Sequence, residues 1–385
     1  MSSADQKIES GSIKQGEHIK IGINSKIIAD EVVLGNNVQI GDNVEIVCDR
    51  LALGDGCKIG NGTVLISPDI SLADGCAIGN AVQVELNEYL KLGKFSVISN
   101  RVTVSGQGMS SGSFLWLKND VMIGGGGSQG PNSYLKIGER VSITDRTYIN
   151  LSEAVTIGDE SALSYNVVLI THGALQPALM GFATKFAPIT IGNNCVVYLN
   201  SVILPGVTIG DYSTISAGSV VNKNIPAHAL AGGNPARVIV KGEGNYPRPL
   251  NEAEIDKLMR SILADFVAIL PPKGVEVFSV SEGNPFVIKL EFEGKEHTIA
   301  YYDINGNNAN AQPSDISISY GGLDVPFAGK AHFNLKELKI TGDPGALGED
   351  LRDYLRRRAV RIFTDEPFRT IPLSNMRRLK QKRKK

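Results

Sequence analysis

Apolar residues recur every six positions through the middle of this chain. The series is Ile157, Leu163 and Leu169, then, after a gap, Ile191, Val197, Ile203, Ile209, Ile215 and Val221. A period of six matches neither an α-helix nor the alternation of a single strand. It is typical of a parallel β-helix, in which each hexad forms one flat face and three hexads form a coil, so that the apolar side chains stack into a shared core.

The same period covers most of residues 21–240. Its earlier triplets are Leu34, Ile40, Ile46; Leu53, Ile59, Leu65; Leu72, Ile78, Val84; Leu92, Ile98, Val104; and Ile137, Ile143, Ile149. Glycine, at 42 of 385 residues, follows many of the leading positions, as tight corners require. These triplets predict eight coils, about 38 Å at a strand spacing of about 4.8 Å. Between Ser105 and Ser133 the period fails, which predicts either an irregular coil or a loop containing Gly124–Gly127 and the single tryptophan, Trp116.

Composition shifts divide the chain into four parts. We expect residues 1–20 to cap the open end of the β-helix, 21–241 to form it, 250–376 to form a small α+β domain, and 377–385 to be a basic tail. In the α+β domain, Asn251 predicts the N-cap of a helix that ends near Leu270, before Pro271-Pro272. Further on, the pattern predicts a strand over Phe333–Ile340, a second helix at about Gly348–Arg358 and a short strand over Val360–Phe363.

Charge and segment composition narrow the possible partners. The net charge of −1 argues against a general nucleic-acid binder. No signal-peptide pattern or long apolar run is present, so we expect a cytoplasmic protein. Cys48, Cys57, Cys76 and Cys195 lack metal-binding spacing and are interpreted as reduced core residues. The basic tail is either a solvated end or a contact with an anionic membrane or polymer.

Several motifs in fixed order resemble one known family. They are Leu163-Ser164-Tyr165-Asn166 leading to Thr171-His172, Pro188-Ile189-Thr190-Ile191-Gly192, Leu204-Pro205-Gly206-Val207, Ala217-Gly218-Ser219-Val220-Val221 and Gly233-Asn234-Pro235-Ala236. This span of about 85 residues is similar to the hexapeptide-repeat acyltransferases, most of all to the acetyl-CoA-dependent sugar and polysaccharide O-acetyltransferases. The resemblance implies a left-handed parallel β-helix, a homotrimer, and acetyl-CoA in the crevice between neighbouring prisms.

The resemblance also implies a catalytic histidine at His172, which opens the one long gap in the repeat. A histidine there suits the chemistry, because a sugar hydroxyl attacks a thioester well only if a base takes its proton. The register places Ser152 one coil below His172, with Asn150 and Glu153 nearby. We therefore name His172, Asn150 and Ser152 as candidate catalytic residues.

The cofactor positions are also implied by the resemblance. Cations at Lys185, Lys223 and Arg237 match places where the family meets CoA phosphates, and the remaining matched positions are Tyr198, Asn200, Ala217, Gly218 and Asn234. Where the family commonly has Trp-Ile-Gly-Ala-Asn, this chain has Val196-Val197-Tyr198-Leu199-Asn200. The apolar segment 173–187 is expected to project towards a neighbouring subunit. No metal is expected.

The first hypothesis for function is transfer of acetyl from acetyl-CoA to a hydroxyl of a sugar or surface polysaccharide. N-acetylation of an amino sugar and a non-catalytic β-helix scaffold are the alternatives, and the change at Tyr198-Leu199 supports the second of these. The γ-carbonic anhydrases share the prism but need three histidine ligands for zinc, and only His172 and His228 fall inside the repeat proper.

Overall fold

The computed structural model describes residues 7–127, 130–303, 314–320 and 329–374. The chain divides into two compact units, residues 1–249 and 250–385. The predicted fold class is confirmed: the first unit is a left-handed parallel β-helix and the second a mixed α+β unit. The predicted basic tail, 377–385, and the first six residues of the predicted cap lie outside the described residues.

The first unit is a three-sided prism of short strands. Its strands up to the glycine run are β1 (Lys7–Gln15), β2 (Lys20–Ile21), β3 (Lys26–Leu34), β4 (Gln39–Ile40), β5 (Glu45–Val47), β6 (Arg50–Leu53), β7 (Lys58–Ile59), β8 (Val64–Ile66), β9 (Asp69–Leu72), β10 (Ala77–Ile78), β11 (Gln83–Leu92), β12 (Val97–Ile98), β13 (Thr103–Ser111), β14 (Trp116–Leu117) and β15 (Met122–Gly124).

The later strands of the prism continue the same pattern. They are β16 (Tyr134–Ile137), β17 (Ser142–Ile143), β18 (Tyr148–Asn150), β19 (Val155–Ile157), β20 (Ala162–Leu163), β21 (Val168–Leu169), β22 (His172–Gly173), β23 (Lys185–Phe186), β24 (Ile189–Ile191), β25 (Val196–Val197), β26 (Val202–Ile203), β27 (Thr208–Ile209), β28 (Thr214–Ile215), β29 (Val220–Val221), β30 (Ala229–Gly233) and β31 (Ala236–Lys241). A 3-10 turn covers Ala178–Met180.

The strands stack face by face. One face is a 12-stranded sheet running from β2 to β31, and a 17-stranded sheet wraps over the other two faces. Eleven strands of the first face, β2 to β30, run parallel, and β31 returns antiparallel to β30. Eight coils were predicted, so that count is too low among the described residues. The prism is roughly 48 Å long, since ten spacings of about 4.8 Å separate eleven strands.

Two stretches without a clean triplet account for part of this difference. Within 7–20, β1 pairs in parallel with β3 and so belongs to the stacked sheet. Within 105–133, β14 pairs with β12 and β17, which makes most of this segment an irregular coil. Trp116 lies in β14 itself, with its ring 6.4 Å from that of Phe114. The coil departs from the repeat because nine residues, 125–133, separate β15 from β16.

The inward hexad residues form one continuous core. Ile157, Leu163, Leu169, Ile191 and Val197 are all at most 1% exposed. Corner residues also join the coils: the side-chain oxygen of Asn61 accepts from the backbone N–H of Asp42 at 2.9 Å, and Asn80 does the same for Asn61 at 2.8 Å. Asparagine and aspartate at the corners therefore bond to the preceding coil as well as allowing the turn.

The described residues of the second unit form two α-helices and a six-stranded sheet. Its elements are α1 (Glu252–Ile269), β32 (Glu276–Ser281), β33 (Phe286–Phe292), β34 (Lys295–Tyr302), β35 (Ile316–Ser319), β36 (Ala331–Asn334), β37 (Lys339–Gly342) and α2 (Gly345–Arg357). The sheet order follows the chain, with parallel pairs only at β34–β35 and β35–β36. Neither described helix is long and apolar enough to cross a membrane.

Sequence patterns predicted this unit unevenly. Asn251 caps α1 as expected, because its side chain accepts from the N–H of Glu254 while the Glu254 carboxylate accepts from the N–H of Asn251. The single strand predicted over Phe333–Ile340 is wrong: it is the hairpin β36–β37, whose turn has Leu338 at a φ of 52°. The strand predicted over Val360–Phe363 is not formed.

A buried ion pair in the second unit joins Lys273 to Asp350, with Nζ 2.6 Å from Oδ2.

Candidate active site

His172 lies where the chain leaves the prism. The second face of the prism contains β18, β21, β26 and β29, and the third face contains β19, β24 and β27. His172 follows β21 and begins the short strand β22, which pairs antiparallel with β23, so that His172 is opposite Phe186. The two rings stack, with centroids 5.5 Å apart and planes at 18°. The backbone N–H of Ala187 donates to Thr171 at 3.0 Å, which closes the excursion. This arrangement fixes one face of the imidazole and leaves the side chain half-buried.

Asn150, in the coil below, holds the imidazole through Nδ1. Its Oδ1 lies 2.8 Å from His172 Nδ1 and 2.7 Å from the hydroxyl oxygen of Thr171. Its Nδ2 donates to the carbonyls of Gly124 at 3.2 Å and Gly126 at 3.1 Å. Two carbonyl acceptors require the amide nitrogen on their side, so the oxygen faces the histidine.

This hydrogen bonding assigns the histidine tautomer. Asn150 Oδ1 only accepts, so the neutral imidazole must carry its proton on Nδ1. The Ser152 hydroxyl lies 2.8 Å from the same Nδ1 and donates its own proton to the Gly126 carbonyl, so it too accepts from the ring. Nε2 therefore carries the lone pair, as a general base requires.

The glycine run Gly124–Gly127 forms the wall beside the histidine, and sequence reasoning had not connected it with the site. A Cβ built on Gly126 would lie 3.9 Å from His172 Nε2, so the Gly126 backbone borders the basic nitrogen. Gly127 has a φ of +82°, and a Cβ there would lie 2.5 Å from Ser152 Oγ. The available signal was that the period fails two coils before the proposed catalytic coil, at four successive glycines.

Two of the predicted cofactor residues lie on the same corner of the prism as His172. We call this corner, between the second and third faces, the His172 corner; it also contains Leu204–Gly206 and Asn222–Asn224. Lys185 lies in β23 with its ammonium beside Gly206, since a Cβ on Gly206 would lie 3.1 Å from Lys185 Nζ. Lys223 is exposed one coil beyond Gly206. These two cations line one edge of the molecule.

The other predicted cofactor residues lie on a different corner, which precedes the second face. We call it the Asn200 corner. Stacked there are Tyr165-Asn166, Leu199-Asn200 and Ala217-Gly218, joined by Asn200 N–H to Tyr165 at 3.1 Å and Gly218 N–H to Leu199 at 2.9 Å. Tyr198 is 46% exposed beside them. In the earlier coils this corner carries Asn or Asp side chains that bond to the preceding coil, the last of them Asp145. The corresponding positions in these later coils are Tyr165, Leu199 and Ala217.

Asn234 and Arg237 belong to the Asn200 corner as well. They lie in the β30–β31 hairpin, where the Gly233 N–H donates to Ser219 Oγ at 3.1 Å. Both side chains are exposed, and Arg237 contacts the neighbouring Ala236 carbonyl at 3.0 Å. Within one chain, the strands β21, β26 and β29 separate this group from the His172 corner. The structure thus brings His172, Asn150 and Ser152 together and divides the predicted cofactor residues between two edges.

The other histidine of the repeat is used differently. His228 stacks on Tyr212 with centroids 4.9 Å apart, and its Nδ1 lies 3.2 Å from the Tyr246 carbonyl oxygen. In the part of the chain that the structure describes, no group of three or more His, Cys, Asp or Glu side chains is placed to hold a metal ion. The four cysteines are buried and free.

Comparison with known proteins agrees with this architecture. A family model described as bacterial transferase hexapeptide (six repeats) matches residues 188–223. Galactoside O-acetyltransferase from Escherichia coli (strain K12) is 40% identical over 117 residues, which are 28% of this chain and 58% of that protein. The putative acetyltransferase YvoF from Bacillus subtilis (strain 168) is 31% identical over 122 residues, 31% of this chain and 68% of that protein.

Among solved structures, that of the polySia specific acetyltransferase NeuO is 18% identical, with 68% of this chain and 98% of that chain covered and a TM-score of 0.33. The chain spans 58% of the length of the galactoside enzyme and 36% of several putative acetyltransferases from Staphylococcus aureus. The match to the Bacillus protein, however, reaches two thirds of its length at 31% identity. This match, the six-repeat family match and the stacked hexads show that the chain belongs to the hexapeptide-repeat acyltransferase family.

Proposed function

We propose that this protein transfers an acetyl group from acetyl-CoA to a hydroxyl of a carbohydrate, with His172 Nε2 as the general base. The observation that carries the proposal is the fixed tautomer of His172: Nδ1 is held at 2.8 Å by Asn150 Oδ1, which leaves the lone pair on Nε2 beside an open glycine backbone. Family membership supports the reaction class, and the relatives named as acetyltransferases support the acetyl group.

In the proposed reaction one proton moves from the acceptor hydroxyl to His172 and then to the leaving sulfur. Nε2 of His172 accepts the proton of the acceptor hydroxyl as its oxygen forms a bond to the thioester carbonyl carbon. The carbon–sulfur bond then breaks, and the proton on Nε2 passes to the departing sulfur, so that the products are the acetyl ester and free CoA. The imidazolium formed in between is stabilised by Asn150 Oδ1 and Ser152 Oγ at Nδ1.

Acetyl-CoA supplies the activated acyl group, and the cations of the prism suit its phosphates. Lys185 and Lys223 on the His172 corner and Arg237 on the Asn200 corner are each exposed. In one chain they lie on separate edges. A homotrimer would set the His172 corner of one prism against the Asn200 corner of its neighbour, and we propose that acetyl-CoA binds along that junction.

The direct test is the variant His172→Ala with His228→Ala as its matched control. We expect His172→Ala to lower kcat by about 10² to 10⁴, because the acceptor hydroxyl keeps its proton. Acetyl-CoA affinity, measured by calorimetry, should stay within about twofold. His228→Ala should retain activity, since His228 stacks on Tyr212 at another corner.

Two results would contradict the proposal. Wild-type rates in purified His172→Ala would remove the histidine from the reaction. Failure of the wild-type protein to bind acetyl-CoA would favour a non-catalytic scaffold. A screen of sugars and amino sugars by mass spectrometry then assigns the acceptor atom, because an acetyl ester is cleaved by mild base and an acetamide is not.

A further inference from the structure

A second feature lies on the His172 corner, several coils towards the N-terminus. Tyr89, Gly108 and Tyr134 are direct register partners in three successive coils, β11, β13 and β16. The rings of Tyr89 and Tyr134 meet across the intervening glycine, with centroids 6.1 Å apart and planes at 27°. We call these three residues the tyrosine ledge.

Gly108 is what lets the two rings approach. A Cβ on Gly108 would lie 2.8 Å from both Cε1 and Cζ of Tyr89, so any side chain there would displace that ring. The absence of a side chain at the middle coil turns two separate tyrosines into one continuous aromatic surface.

The ledge borders a surface pocket on the same corner of the prism as His172. The pocket has a volume of about 310 Å³ and is lined by Tyr89, Tyr134, Glu88, Lys136 and the small residue Ala154. Ala154 precedes Val155, whose register partners are Leu135 below and Ile189 above. The small residue Ala154 therefore lies between Tyr134 and the coil of His172.

Polar groups surround the two half-buried rings. The Tyr134 hydroxyl donates to Glu88 at 2.5 Å, and this bond raises the pKa of Tyr134, so the phenol stays neutral. Lys91 lies over the Tyr89 ring at 5.2 Å and pairs with Asp69 at 2.9 Å. Nearer to His172, Asn132 donates to Glu153 at 3.1 Å. Aromatic faces edged by carboxylates, amides and amines match a sugar ring, which has one C–H-rich face and a rim of hydroxyls.

The spacing matches a ligand that is longer than one sugar. Tyr134 is two coils from the His172 coil and Tyr89 is four, roughly 10 Å and 19 Å at a coil rise of about 4.8 Å. A monosaccharide at Nε2 would not reach the ledge. A chain of several sugars that runs along the corner would cover both.

We propose that the tyrosine ledge binds sugar units of an oligosaccharide or polysaccharide acceptor whose reacting hydroxyl lies at His172. The inference rests on the proposed function for the identity of the reacting end, and it assigns this protein a chain-binding subsite remote from its catalytic residues. Binding energy at the ledge raises the affinity for long acceptors and leaves short acceptors unaffected.

The test uses full-length protein carrying His172→Ala, so that binding is measured without turnover. This variant protein is applied to an array of hexose, hexosamine and sialic acid oligosaccharides of one to eight units. We expect binding to increase with chain length in at least one series. Tyr89→Ala and Tyr134→Ala should weaken binding to the longest member about ten-fold, whereas Tyr89→Phe and Tyr134→Phe should stay within about twofold.

Two further variants sharpen this test. Gly108→Ala should mimic the loss of Tyr89 although both tyrosines remain, because its Cβ would displace the Tyr89 ring. Tyr212→Ala is the matched control, since Tyr212 is a 44%-exposed tyrosine stacked on His228 at another corner. It should bind every glycan as the parent does.

The outcomes separate this inference from the proposed function. Equal binding of short and long chains, or alanine variants that bind like the parent, would overturn the ledge while leaving acetyl transfer to small sugars possible. A change in oligomer mass in the tyrosine variants would identify the ledge as a subunit contact and overturn it also. Length-dependent, tyrosine-dependent binding in a protein that transfers no acetyl group would support the ledge and reject the proposed reaction.

Discussion

At the scale of single residues, the site depends on an amide where many histidine-based catalysts use a carboxylate. Asn150 is 1% exposed, and its side chain bonds to His172, Thr171 and the carbonyls of Gly124 and Gly126. A carboxylate could accept from the imidazole but could not donate to two carbonyls. The neutral amide therefore fixes the ring orientation without adding charge to the buried coil.

Asn150→Asp tests this role as a positioning residue. The new carboxylate would face two carbonyl oxygens, and each unmatched buried group costs about 1 to 3 kcal/mol, so the melting temperature should fall. The carboxylate also stabilises the imidazolium, so the acid limb of the pH profile of kcat/KM should move up by about one pH unit.

Asn150→Ala provides the comparison, because it removes the hydrogen bond without introducing a charge. It should lower kcat and leave the acid limb in place. A pH profile of Asn150→Asp that superimposes on the wild-type profile would show that Asn150 has only a structural role.

At the scale of elements, the loop segment Gly124–Gly127 forms one side of the site. Its carbonyls orient Asn150 and accept from Ser152, and its backbone borders Nε2. Its glycines are not equivalent. A Cβ on Gly126 would make only ordinary van der Waals contact with His172, whereas Gly127 has a positive φ and lies tightly against Ser152.

Substituting alanine at each position should separate chemistry from stability. Gly126→Ala places a methyl group 3.9 Å from Nε2, in ordinary contact, so the fold should be unchanged while kcat/KM for the acceptor falls roughly ten-fold or more. Gly127→Ala should instead lower the free energy of unfolding by about 1 to 2 kcal/mol, because its φ of +82° disfavours a side chain. Steady-state kinetics and thermal unfolding of both variants check this. If the two variants lost the same activity and the same stability, the distinction between Gly126 and Gly127 would be wrong.

Sequence patterns predicted the strands well and this loop poorly, for a physical reason. Every inward hexad position must be apolar, so Leu163 and Ile203 mark their strands individually. The loop is held by backbone carbonyls and by the absence of side chains, and neither leaves a periodic signal. Asn150 and Ser152 were placed near His172 because a fixed coil length sets their register. The direction of the Asn150 amide depends on Gly124 and Gly126, which lie 26 and 24 residues away.

At the scale of the whole molecule, the segment 173–187 exposes several large apolar side chains. We call it the arm. Leu175 is 97% exposed, Leu179 104% and Met180 74%, and Phe186 stacks on the catalytic candidate. A contiguous apolar arm of this kind is typical of a surface that contacts another chain. Together with the division of cofactor residues between two corners, it supports the proposed homotrimer.

The triple variant Leu175→Ser, Leu179→Ser, Met180→Ser tests the assembly. Light scattering should give three times the chain mass for the wild type and a smaller mass for the variant, and acetyl-CoA affinity should fall with the loss of the neighbour's corner. The control is Phe278→Ser with Val280→Ser, two exposed apolar residues of β32 in the second unit. A monomeric wild-type protein that binds acetyl-CoA fully would contradict the model of a shared site.

The stacked coils also determine which insertions and deletions this protein can tolerate during evolution. Each coil contacts its neighbours through the same register, so duplication of one 19-residue coil, the spacing of Tyr89 and Gly108, would leave the catalytic coil intact. It would move the distal tyrosine by one step of about 4.8 Å. The preferred length of the acceptor chain would then change in steps of one coil rise, and it would vary independently of the chemistry at His172.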